Sequence, residues 1–75
     1  MSKHAATLAR EYDFESAWDY YNYIVESLRN GNRQQVRDLF KAMKTDDKHD
    51  FLINHLDPSE GIQKSVLNIC ITEMT

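Results

Sequence analysis

Phe14, Trp18, Tyr21, Val25 and Leu28 recur at alternating steps of four and three, and this run constrains the chain more than any other feature. At about 100° per residue these side chains, with Ala17 and Ile24, fall within roughly a third of a helical circumference. Such a stripe defines an amphipathic helix that must bury one broad face. The spacing predicts a helix over about residues 14–28, with Trp18 and Tyr21 in the core. Asp13 can cap its start; Ser16, three residues before Asp19, is a second candidate. The other side carries Glu15, Asp19, Asn22 and Glu26, with Tyr23 beside them and Tyr20 at the border. Those two tyrosines have no evident need within the chain.

The next signal is Asn30-Gly31-Asn32. Gly31 suits the left-handed conformation that ends a helix, Asn32 can cap the following one, and Gln35 can complete a capping box. A second helix then spans about Arg33 to Met43, with Val36, Leu39, Phe40 and Met43 on one face. So short a connection makes an antiparallel helical hairpin. Thr45-Asp46-Asp47 marks a stop and restart, and Phe51, Leu52, His55 and Leu56 give a short third helix its buried side. Asp57-Pro58-Ser59-Glu60 reads as a helix start, with Asp57 as cap and Pro58 at the first helical position. The fourth helix is expected over about residues 58–72, burying Ile62, Val66, Ile69 and one of Leu67 and Cys70. Residues 1–12 permit a short amphipathic turn or two through Ala5, Leu8 and Ala9, but a terminus this short often frays.

Only two Gly and one Pro occur, and long β-branched runs are missing. Helices joined by short turns therefore fit better than a sheet. The expected fold is all-α: one domain over residues 1–75, a compact three- or four-helix bundle built on the hairpin. A chain of this size buries only about 60% of its unfolded surface, so its stability margin is thin. Cys70 is the lone cysteine, which excludes an internal disulfide, and there is no signal-peptide pattern or long apolar run. A cytoplasmic address is the resulting expectation.

The net charge of −3 is unevenly spread. Residues 33–44 hold four Lys/Arg against one Asp, while the segments before and after are acidic. Arg33, Arg37, Lys41 and Lys44 form a strip beside the apolar face of the second helix, read either as solvated charges pairing with Asp19 or Glu26, or as a basic ridge. An acidic chain is poorly suited to charge-driven DNA binding. A helix-turn-helix reading of the second and third helices would turn Asp46, Asp47 and Asp50 toward phosphates of like charge.

No catalytic constellation is present. His49 and His55 are six residues apart and so about 120° apart on a helix, which does not favour a metal site. Cys70 lies in the apolar run Val66 to Ile71, where a thiolate is disfavoured. The carboxylates show no pairing, and 75 residues leave little room for a shielded pocket. Neither an enzyme, a cofactor nor a metal is expected.

Tyr23-Ile24-Val25-Glu26-Ser27, then Asn30-Gly31-Asn32, Gln35-Val36-Arg37, Leu39-Phe40 and Phe51-Leu52-Ile53 resemble short open reading frames of tailed bacteriophages, over roughly residues 20–56. The resemblance implies a phage or mobile-element accessory protein, a class that often binds a host machine. It carries no catalytic residue. Together these readings point to a protein-binding module that docks on a larger protein or nucleoprotein assembly. Its expected contact residues are Asp19, Tyr20, Tyr23 and Glu26 of the first helix with Arg33, Arg37, Lys41 and Lys44 of the second. A self-associating helical protein, a homodimer closed by the first helix, is the alternative. Nucleic-acid binding through the basic ridge is a third.

Overall fold

Gly31 makes the hairpin. Its φ of +80° closes a left-handed turn. The Gly31 amide donates to the Leu28 carbonyl (2.9 Å) and the Asn32 amide to that of Ser27 (2.9 Å), which satisfies the last carbonyls of the helix before it. The Asn32 side chain then accepts from the Gln35 amide at 3.0 Å and starts the next helix. The computed structural model describes residues 2–74. Over these the fold is all-α: α1 (Ala5–Glu11), α2 (Ala17–Arg29), α3 (Arg33–Lys41), α4 (Thr45–Asp50) and α5 (Gly61–Met74). Between α4 and α5 one π-helical turn, Phe51–His55, continues the axis of α4.

α2 packs against α1, α3 and α5, and α3 also packs against α5. Tyr20, Ile24, Val36, Phe40, Met43, Phe51, Val66 and Cys70 are fully buried where these helices meet. The buried arc of α2 is displaced from the expected stripe. Trp18 is 62% exposed, not a core residue, whereas Tyr20 is wholly buried. Trp18 lies about 20° beyond Val25, at one margin of the buried face, and Tyr20 lies about 40° before Ile24, at the other. The cause is α1. It covers the Tyr20 side of α2, a contact that a frayed N-terminus would not supply.

Residues 3–11 are held by non-local backbone bonds. The Lys3 amide donates to the Ala42 carbonyl (2.8 Å), and the Lys44 amide donates to the Lys3 carbonyl (2.9 Å), an isolated parallel bridge around Met43. The Asp47 carboxylate accepts from the Ala5 amide at 2.9 Å and so caps α1 from across the fold. α1 ends as α2 does, except that Asp13, not glycine, takes the left-handed position at φ +62°. The Asp13 amide reaches the Arg10 carbonyl and the Phe14 amide that of Ala9. Asp13 therefore ends one helix and does not cap the next. α2 begins after Ser16, whose hydroxyl lies 3.4 Å from the Asp19 carboxylate.

The last helix also starts later than its proline signals. Asp57 folds back on Ser59, accepting from both its amide (3.0 Å) and its hydroxyl (2.6 Å). That makes a tight turn. The Ser59 donors hold the exposed Asp57 carboxyl below the usual range. Glu60 supplies the cap, accepting from the Gln63 amide at 2.8 Å, and α5 begins at Gly61.

Candidate functional site

Trp18, placed on the open margin of α2, overlooks a groove of about 560 Å³ between α2 and the π turn. Tyr21, Val25, Glu26 and Arg29 line it from α2, and Asp50, Asn54 and His55 face them. Ring contacts make a continuous row. The His55 ring makes T-shaped contacts with Trp18 (6.1 Å between centroids) and with Tyr21 (5.3 Å), and it stacks on buried Phe51 at 5.6 Å. The Tyr21 hydroxyl donates to Asp50 Oδ2 at 3.0 Å, and Asn54 Nδ2 donates to Oδ1 at 2.8 Å.

These contacts set the electrostatics. The bonds from Asn54 and then Tyr21 favour the ionised carboxylate and hold the Asp50 carboxyl below its ordinary value. Burial pushes the Tyr21 phenol up, reinforced by its bond to Asp50. Burial lowers His55, and the nearby Asp50 only partly opposes it, so the imidazole is neutral at pH 7. Arg29 is engaged by Glu26, 3.1 Å from Nε to Oε1. Among the described residues no lysine or arginine pairs with Asp50. The groove thus joins an exposed indole to a carboxylate without a counter-ion.

The π turn contributes to this arrangement. The Leu56 amide donates to the Phe51 carbonyl, five residues back, at 3.1 Å. Such turns are rare and occur mainly where a helix is locally distorted to aim side chains. Here it keeps Phe51 buried while His55 and Asn54 reach the groove, and Ile53 on the same turn is 75% exposed. Nothing in the sequence marks a π turn. The exposure of Ile53 was legible only as its absence from the expected buried side of the third helix.

The eight residues expected to make contacts do not form one surface. Tyr20 is a correction: its hydroxyl donates to the Leu39 carbonyl at 2.7 Å inside the core, and burial raises its phenol pKa. Tyr23 is half-buried, its ring against Tyr12 (5.5 Å) and Phe14 (5.4 Å), and its hydroxyl accepts from Gln35 Nε2 at 2.9 Å. Arg37 and Lys41 reach Glu73 of α5 at 3.3 and 3.8 Å, an internal contact between helices. Asp19 is half-buried near the start of α2, while Arg33 and Lys44 are exposed. Of the eight, only Glu26 lines the groove.

A second hollow, about 520 Å³, lies between α1 and α3. Tyr20 and Leu39, already bonded to each other, are among its lining residues, as are Gln34 and Asp38, the first donating to the second at 2.9 Å. Cys70 is buried, and burial pushes its thiol up to about 12, which keeps it protonated and unreactive. Among the described residues no three His, Cys, Asp or Glu side chains converge as a metal site. No helix among them is long and apolar enough to cross a membrane. Comparison with protein-family models, with curated proteins and with solved structures finds no match.

Proposed function

We propose that this chain is a non-enzymatic binding module, a phage or mobile-element accessory protein that docks on a larger protein or nucleoprotein assembly in the host cytoplasm and modulates it. The observation that carries the reading is Trp18, an indole left 62% exposed on a groove while Tyr20, two residues on, is buried. Tryptophan is among the residues that concentrate binding energy when a partner desolvates them. A small domain gains little stability from an indole left mostly in water. The docking face lies on the Trp18 side of α2 and the π turn, not on the tyrosine and basic strips of the hairpin.

The test compares wild type with Trp18→Ala as bait in a bacterial lysate, followed by reconstitution with the purified captured protein. Capture by wild type and its loss in Trp18→Ala, with unchanged circular dichroism, is the expected result. Equal capture by both, or no saturable binding by either, refutes the reading.

A further inference from the structure

We infer that the groove beside Trp18 receives a cationic side chain, an arginine above a lysine, presented by a segment of the protein partner; this deepens the docking reading and rests on it. Asp50 is ionised, His55 opposite it is neutral, and Glu26 already engages Arg29. Among the described residues the groove therefore holds one uncompensated negative charge beside three aromatic rings.

The carboxylate also has acceptor capacity left on both oxygens. Its two oxygens present about four acceptor positions. Tyr21 takes one on Oδ2 and Asn54 one on Oδ1, which leaves one on each oxygen. A guanidinium carries five N–H donors, enough to supply one to each oxygen, and can rest its plane on an indole. The exposed Trp18 supplies such a surface, joined to Asp50 through His55 and Tyr21. Lysine offers a point charge and uses the aromatic face less well.

Charge complementarity also selects against a second copy of the chain. A two-fold contact through this groove would join two chains that each carry −3, and the one arginine it presents, Arg29, is already paired with Glu26. A basic partner segment removes that repulsion.

The experiment uses three blocked tripeptides as probes, with leucine on both sides of arginine, glutamine or glutamate, titrated to their solubility limits against the intact chain. Trp18 is the single tryptophan, so its fluorescence reports the groove directly, and amide shifts in NMR give the location. The arginine probe should perturb Trp18, Tyr21 and Asn54, and the other two probes should bind about tenfold more weakly or not at all. Asp50→Asn, which keeps the size and one of the two acceptor oxygens, should lower arginine binding about tenfold, with a modest fall in melting temperature from the lost bond to Tyr21 or Asn54. If that variant fails to fold, Trp18→Ala serves in its place and should abolish binding. Equal binding of all three probes, shifts confined to α3, or no response to the arginine probe would overturn the inference. So would a dimer in light scattering that Trp18→Ala dissociates, since the groove would then be covered by a second copy. A lysate partner captured through Trp18 but not displaced by the arginine probe leaves docking standing and removes the cation. Arginine binding without any Trp18-dependent partner does the reverse.

Discussion

Tyr20→Phe removes one oxygen from the centre of the fold and nothing else. In the last turn of α3 the Ala42 amide donates to the Asp38 carbonyl and the Met43 amide to that of Phe40, and the Leu39 carbonyl between them is met by the Tyr20 hydroxyl at 2.7 Å. That carbonyl belongs to the group a helix end leaves unsatisfied. Because both partners are buried, the variant leaves an acceptor without its donor, which costs about 1–3 kcal/mol. The ring stays, so no cavity term is added. For 75 residues the total stability is roughly 4–11 kcal/mol, and a loss near 2 kcal/mol lowers the melting temperature by about 8–16 °C. Thermal melts followed by circular dichroism measure this directly, with urea midpoints as a second determination. Trp18→Ala in the same assay should cost under about 1 kcal/mol, because most of its ring is already in water. A Tyr20→Phe melt within 2 °C of wild type, or a larger loss in Trp18→Ala, would refute the placement of the two side chains.

Gly31→Val forces a β-branched residue to φ +80° and should cost about 1–2 kcal/mol in urea titrations, with no clash because no atom lies near the new Cβ. Asp13→Gly relieves the same strain at φ +62° and should leave stability unchanged or raise it by a few tenths of a kcal/mol. Folding lowers the His55 pKa, so the unfolded chain binds that proton more readily. Stability from this group is complete above about pH 6.5 and falls as pH drops below it; His55→Gln should flatten melting temperatures between about pH 7 and 5. Glu73→Gln removes the acceptor shared by Arg37 and Lys41 and should cost at most about 1 kcal/mol, less in high salt.

What was legible in the chain is local. The turn at Gly31 and the cap at Asn32 depend on residues within five positions of each other, and their chemistry names the geometry. The all-α fold, the hairpin and the burial of Ile24, Val25, Leu28, Val36 and Phe40 follow from such signals. The misplaced elements depend on distant partners. Asp47 caps α1 from 42 residues away, and Lys3 bonds to backbone beyond α3, so no window of sequence around residues 3–11 contains the reason for their order. Once α1 covers Tyr20, the centre of the buried arc of α2 moves. At Asp57 and Glu60 the local code was ambiguous, since both can accept from backbone amides, and the bonds from Ser59 drew Asp57 into a turn of its own.

The same displacement accounts for the groove. Periodicity alone cannot order Trp18, Val25 and Tyr21 by burial, because all three lie within about 60° on α2. What separates them is the neighbour each meets. Val25 and Tyr21 are covered by the rest of the core, and Trp18 meets the His55 ring, in a T-shaped contact, on a widened turn. Burying an aromatic side chain of this size is worth about 1.5–3 kcal/mol, a large share of what so small a domain has in total. A fold governed by stability alone would draw that indole inward, and Ile53 with it. Trp18 stands exposed on the groove that holds the Asp50 carboxylate, which has hydrogen-bond donors but, among the described residues, no cation. Apolar contact area and an unmatched charge side by side are the two things a partner can complete, the first supplying affinity and the second selecting which side chain enters.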